Sequence, residues 1–370
     1  MTTHPRRPRG APVDDALFAE LCGELFGCLP RVDQRVKAAV YVRGLLCAEG
    51  RKSVRKLAAV SGGAVSEQGL HHFVSESTWD WRPVRAVLAR YVAGVVPVRA
   101  WVVRPMVIPK AGEHSVGVDR GVGQLRNAQY AVGVWAASEA GCGPVSWRLH
   151  LPRVWLDDRD RRSRAAIPEE AGAETVEGCA VSASLEVAGA WGLPSRPVVF
   201  DARSASVAAV VRRFRAAGVP VLLRVGSATR LVRVGGGAGE VAARHLVAGV
   251  RHLRRPVRVP GARSAEHTAA AVVVRLPGGT CEFVLVGHWV GRGAQPEYWL
   301  SDLVTAGPAA LVSLSRLVGL VDGDFGRLTD GLGVRDYVGR SYDGWHRHVT
   351  LVSVAHAVAA LSEAVLSYAG

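Results

Sequence analysis

One stretch constrains the architecture more than any other. A four-residue apolar run, Pro197 to Phe200, ends on Asp201. A helical pattern follows from Ser204 to Ala217 and is closed by Gly218. A second apolar run then spans Val219 to Val225. Strand, helix and strand at this spacing make a β-α-β unit, whose two strands lie parallel and whose crossover is right-handed. The unit leaves an acid at the carboxyl end of its first strand.

The flanking periods fill out an α/β fold. Before the unit, Trp101–Val107, Ser115–Val118, Tyr130–Ala136 and Val145–Leu151 read as short β-branched strands in an antiparallel meander. Leu156–Glu170, with its run DDRDRRSR, reads as a solvated excursion, and Glu174–Gly192 as a helix. After the unit, Gly235–Pro260 is glycine-rich and then basic, as in an insertion. Val272–Leu276, Cys281–Val290 and Glu297–Leu303 read as strands, and Pro308–Thr329 and His346–Leu366 as helices. There is no internal repeat.

Everything before Ala100 is helical in pattern. Helices are expected from Asp14 to Cys28, from Arg35 to Cys47, and from Trp79 to about Val95. Ser53–Val60 and Ser66–Val74, parted by Ser61-Gly62-Gly63, have helix–turn–helix character. Arg51, Lys52, Arg55 and Lys56 crowd its first helix, while Gln68, His71 and His72 fall on the exposed side of its second. Such a pair can set cations against phosphates, or it can be an ordinary piece of a helical bundle.

Charge bears on the choice. The chain has 370 residues, with 46 Lys and Arg against 32 Asp and Glu, a formal charge of +14. That excess favours a polyanion as partner over a merely solvated basic surface, although an arginine-rich composition also follows from a GC-rich coding source. No apolar run reaches the ~18–20 residues of a membrane span. No apolar segment follows the basic, Pro-rich stretch Met1–Pro12, so no secretory signal is expected. Cys22, Cys28, Cys47, Cys142, Cys179 and Cys281 form no CxxC pair. They read as buried small hydrophobes in a reducing cytoplasm.

Several stretches, in order, resemble one family. RKSVRKLA (51–58), QGLHHFVSESTWDWRPV (68–84), PKAGEHSVGVDR (109–120), RNAQYAVGVWAAS (126–138), WRLHLPRVW (147–155), EYWLSDL (297–303) and GRSYDGWHRHVTLV (339–352) are similar to DDE-superfamily insertion-sequence transposases. The likeness falls in the IS-four-like clan, nearest its "seven-oh-one" group, and covers roughly residues 50–355. It implies an RNase H-like mixed sheet with a β-rich insertion, preceded by an all-α region. It also implies carboxylates on the first strand, at the end of a later strand and on a late helix, gripping two Mg²⁺ for phosphodiester cleavage. The expected divisions are a disordered basic arm at 1–13, a helical, DNA-binding candidate domain at 14–97, a core at 98–230 and 304–370, and an insertion at 231–303.

The departures from the family pattern carry the functional expectation. Where the family has an Asp-Asp-Thr triplet on the first strand, alignment of Pro109-Lys110 places Arg104-Pro105-Met106. The second acid remains as Asp201, now followed by Ala202-Arg203-Ser204. The family's Trp-Arg-x-Glu on the late helix becomes Gly319-Leu320-Val321-Asp322. A guanidinium has no lone pair for a metal and keeps its proton. Arg104 is therefore expected to pair with Asp201, Asp322 or both, with no metal bound and no cofactor. A carboxylate such as Glu113 or Asp119 beside Asp201 would rebuild a metal site.

The expectation is thus a cytoplasmic, transposase-derived protein that no longer cuts by two-metal chemistry, with DNA or a small molecule as candidate partner. The remnant cleft comprises Arg104, Asp201 and Asp322, with His114 as a base or a satisfied polar group. The phosphate-contact candidates are Arg51, Lys52, Arg55, Lys56, His71, His72, Lys110, Arg254, Arg255 and Arg347; Arg251 and Arg258 extend the strip in the insertion. His346 and His348 suit hydrogen-bonded structural roles, and Asp324 a helix surface. The alternatives are an enzyme recruited to small-molecule chemistry, using Arg104, Asp201 and Asp322 as anion clamp and acid–base group, and a working transposase. The sequence gives no oligomeric state.

Overall fold

The computed structural model describes residues 15–369 apart from 123–124, 238, 259–265 and 292–293. The arm at 1–13 lies outside the described residues. Five helices come first: α1 (Asp15–Phe26), α2 (Val32–Cys47), α3 (Val54–Val60), α4 (Glu67–Ser75) and α5 (Trp81–Val95). Ser53 and Ser66 cap α3 and α4, their hydroxyls accepting from Lys56 N and Gly69 N. Asp80 caps α5 through Arg82 N.

The period then switches to two. The next elements are β1 (Ala100–Pro109), β2 (Val118–Val122), β3 (Leu125–Ser138), β4 (Gly141–Leu149), α6 (Arg153–Asp157), α7 (Arg159–Arg164) and α8 (Val176–Ala190). The β-α-β unit is β5 (Val198–Asp201), α9 (Val207–Ala216) and β6 (Val221–Val225). Strands β3 and β4 are antiparallel to their neighbours, while β1, β5 and β6 run parallel. The resulting order, β4-β3-β1-β5-β6, is the mixed RNase H-like sheet. Strand β2 continues the β4 edge, pairing with the first half of β3.

The segment expected to be an insertion extends this sheet instead of leaving it. It contains β7 (Arg230–Arg233), β8 (Glu240–Ala242), α10 (Ala243–Gly249), β9 (Arg255–Pro256), β10 (His267–Arg275), β11 (Glu282–Val290) and β12 (Glu297–Ser301). Strand β12 pairs antiparallel with β6, then β11 and β10 follow outward, so twelve strands form one sheet. Asp302 and Ser301 fasten this junction through Val221 N at 2.9 Å and Val221 O at 2.7 Å.

Two helices complete the chain, α11 (Pro308–Asp324) and α12 (Tyr342–Ala369), with a π-turn at Phe325–Thr329 between them. Pro308 opens α11 at a position where its missing N–H is harmless. Helix α8 covers β1, β3 and β4, and α11 lies across β1, β5 and β6. Helix α12 packs against β4 and also against α1, α2, α4 and α5, so one apolar core runs through helices and sheet.

Some expectations change. Ser115–Val118 is a turn, and the strand begins at Val118. Residues 156–170 are solvated over most of their length, α7 burying none of its side chains, but they form the end of α6 and all of α7 and bury Ala165 and Ile167. Only Cys22, Cys142 and Cys179 are buried. Cys28 and Cys47 are exposed, because they sit at the ends of α1 and α2 beyond the packed turns, and Cys281 is half-buried.

Candidate functional site

Adjacent parallel strands put Arg104 and Asp201 side by side. Val102 pairs with Val199 in the β1–β5 register, and two residues further on stand Arg104 and Asp201. Alternation along β1 puts Arg104 on the same face as Val102, whose β3 partner is Trp135. Trp135 packs against Phe325 of the π-turn, so Arg104 looks toward the end of α11.

There Arg104 Nε donates to Asp322 Oδ1 at 2.8 Å, and its guanidinium lies 3.6 Å from the Phe325 ring centroid. The Arg104 side chain is 20% exposed and Asp322 56%. Burial lowers the Arg104 pKa, and Asp322 acts in the opposite direction. Asp201 is held by other cations: Arg203 Nη2 is 2.6 Å from its Oδ2 and Arg224 Nη1 3.9 Å. Burial pushes the Asp201 carboxyl upward, but these guanidiniums outweigh it and leave the pKa below its ordinary value. Arg224 also reaches Glu297 at 2.5 Å. The cleft is therefore a set of interleaved ion pairs.

That donor set does not fit Mg²⁺. Among the described residues no three His, Cys, Asp or Glu side chains gather closely enough to hold a metal. Glu113 is engaged by Arg120, and it lines a pocket with His114 rather than the cleft. Asp119 lies on β2, paired opposite Ala128.

Asp324 is not a surface acid. Its Oδ2 lies 2.6 Å from His356 Nε2 and its Oδ1 3.0 Å from Arg327 Nη2, with the side chain 14% exposed. The helix widens into the π-turn directly after it, which brings Arg327 back onto its carboxylate, while α12 supplies His356.

The phosphate-contact candidates divide. Arg51, Arg55 and Lys56 are exposed, although Lys56 Nζ also donates to Glu49 O at 3.0 Å. His71 and His72 are exposed on α4, but Glu76 lies 3.7 and 3.2 Å from their ring nitrogens and opposes a phosphate there. Arg255 is exposed, as are Arg251 and Arg258, whereas Arg254 stacks 4.8 Å over Trp289 and bonds Thr268.

Three candidates are corrected outright. Lys52 is buried and donates to the Ala48 carbonyl. Lys110 Nζ donates to Tyr337 O at 2.7 Å, and burial pushes its pKa down to about 8. Arg347 is 4% exposed and donates to the carbonyls of Trp79 at 3.0 Å and Val74 at 3.5 Å. Each cation closes a seam by satisfying carbonyls that would otherwise be buried alone. His346 and His348 are likewise buried.

His114 is exposed and lines a pocket of about 370 Å³ with Glu113, Trp155, Arg161, Arg164 and Arg340. None of Arg104, Asp201 or Asp322 lines it. A reading of Leu156–Glu170 as a solvated excursion does not point to this pocket; the arginine spacing in DRDRRSR is the signal that does.

A family model described as DDE superfamily endonuclease matches residues 24–272. None of the curated proteins compared with the chain matches it. Among solved structures, the chain shows a distant likeness to the cryo-EM structure of a piggyBac transposase synaptic complex with hairpin DNA. Identity there is 11% and the TM-score 0.42, over 96% of this chain and 74% of that one.

Proposed function

The chain belongs to the DDE-superfamily endonucleases, and from that premise we propose that it is a transposase-derived protein that has lost two-metal strand cleavage and retains binding to DNA. The observation that carries this reading is the 2.8 Å bridge between Arg104 and Asp322. Asp to Arg at the first position changes the local charge by two units. At an effective dielectric of ~20, unit charges 4 Å apart interact by about 4 kcal/mol, so a divalent ion beside the guanidinium meets about twice that repulsion. The bridge also occupies the late-helix carboxylate that would have served as a ligand.

DNA binding is supported by the +14 charge and by the exposed Arg51, Arg55 and Lys56 around α3. Counterion release makes binding of that kind steeply salt-dependent.

The test is a supercoiled-plasmid nicking assay in Mg²⁺ or Mn²⁺, run beside Arg104→Asp and paired with a Mn²⁺-binding titration of both proteins. The unmodified chain is expected neither to nick nor to bind Mn²⁺ in the cleft, and Arg104→Asp to gain Mn²⁺ binding. Metal-dependent nicking by the unmodified chain overturns the loss of cleavage. Absence of any salt-dependent duplex binding overturns the retained DNA contact.

A further inference from the structure

We propose that the pocket walled by Glu113, His114, Trp155, Arg161, Arg164 and Arg340 binds a nucleotide phosphate, carried by a free mononucleotide or by the 5′ end of a DNA strand. The site lies outside the acid cleft, and the proposal does not depend on loss of cleavage or on duplex binding.

Its chemistry is one-sided. Three guanidiniums line a single concavity of about 370 Å³, within the ~300–1,000 Å³ range of small-ligand pockets. The negative charge nearby is partly spent elsewhere. Glu113 is engaged by Arg120, which does not line the pocket. Arg161 has Asp158 at 3.3 Å, and Arg164 Nε donates to the Asp160 carbonyl at 3.1 Å. Arg340 is exposed and has no ion-pair partner among the described residues. Like charges gathered this way repel one another, and an anion with several acceptor oxygens answers all of them at once. Trp155 supplies the apolar wall. Its indole N–H is already given to Val118 O at 2.9 Å and the Arg161 guanidinium lies 5.7 Å over its ring, so the nearly buried indole forms a fixed floor beneath the cations.

The backbone holds these cations together. Ala166, φ +49°, is the one non-glycine residue among the described residues with positive φ. A residue with a Cβ is strained in that conformation. The left-handed turn ends α7, with Ala166 N and Ile167 N donating to Ser163 O and Arg162 O, both at 3.0 Å. Ala165 O then accepts from Tyr342 N at 2.8 Å, which ties the end of α7 to the segment bearing Arg340. Arg162 Nη2 braces the following loop through the carbonyls of Pro168, Glu169 and Ala171 at 2.6, 2.7 and 3.2 Å. Strain and bracing are thus concentrated where arginines from two segments meet.

The experiment is isothermal titration calorimetry of the full chain with four probes: inorganic phosphate, dAMP, and one single-stranded oligonucleotide with a 5′-phosphate or a 5′-hydroxyl. The double variant Arg164→Gln/Arg340→Gln alters exposed side chains. Arg31→Gln, an exposed arginine remote in sequence from the pocket, serves as control, and circular dichroism checks the fold of each. At least one phosphate-bearing organic probe is expected to bind, and the double variant to weaken it about tenfold or more, while the control is unchanged. Tight dAMP binding with no preference between oligonucleotide ends assigns the site to free nucleotide; preference for the phosphorylated end assigns it to a strand terminus. Binding of none of the probes, or equal binding by a folded double variant, overturns the proposal.

Discussion

Arg85 Nε donates to Thr350 Oγ1 at 2.7 Å, across the seam between α5 and α12. The same guanidinium reaches Trp147 O on β4 at 2.6 Å and lies 3.0 Å from His346 Nδ1. The Trp81 ring centroid lies 4.1 Å from it, and the residue is wholly buried. One planar fork therefore joins two helices and a strand. Arg85→Leu is expected to destabilise the fold by about 3–5 kcal/mol, because buried acceptors lose their donor. Arg85→Lys should recover little, since one ammonium cannot span the same acceptors. Urea unfolding measures both; a variant as stable as the parent removes Arg85 from this role.

Stability should fall between neutral pH and about pH 4. His348 is buried, and its Nε2 donates to Gly333 O at 2.9 Å, which leaves Nδ1 to accept from Tyr41 Oη at 2.9 Å. Burial pushes its pKa down to about 4, against the pull of the Gly333 carbonyl and Asp336, with Lys110 adding to the fall. Above pH 6.5 the ring is neutral both folded and unfolded. Below it the unfolded chain takes up a proton that the folded ring refuses until about pH 4. This residue alone withdraws on the order of 3 kcal/mol across that window. His348→Asn should flatten the dependence of urea midpoint on pH; an unaltered curve contradicts the assignment.

The corrected cations can be separated from the exposed ones by salt. Arg51→Gln and Arg55→Gln are each expected to shallow the slope of log K against log salt by about 1 in duplex binding. Lys110→Gln and Arg347→Gln should leave that slope unchanged and lower the melting temperature instead. A shallower slope for either of the latter pair, in a folded protein, reverses the division.

Gly133 faces Arg104 across the β1–β3 register. A Cβ there would lie 2.9 Å from Trp147 Cζ3 and 3.1 Å from Trp135 Nε1, and both indoles are buried. Gly133→Ala is expected to cost about 1–3 kcal/mol by overpacking. An unchanged unfolding midpoint shows that the rings give way freely.

The sheet was legible because its signals are local: β-branched runs of the right length, and an acid closing one of them. The Arg104–Asp322 pair was also legible, since a fixed cation set among acids finds one of them. Asp201 took its partner from Arg203, two residues along, and from Arg224 on the neighbouring strand, which a motif alignment does not weigh. Lys52, Lys110 and Arg347 misled because a cation spent on backbone carbonyls looks, in sequence, like one awaiting phosphate. Asp324 misled because its partner His356 comes from α12, far along the chain. Glycines between β7 and β10 hid β8, which pairs with β7 just before it, and α10, which packs on β10 and β11 farther along the chain.

Helix α12 is the floor on which α1, α2, α4 and α5 stand. During synthesis those early helices leave the ribosome before α12 does, and the faces that α12 covers stay open to water until it arrives. Removing α12 should therefore bare those faces of α1, α2, α4 and α5, and limited proteolysis of a protein so trimmed is expected to cut among these helices first.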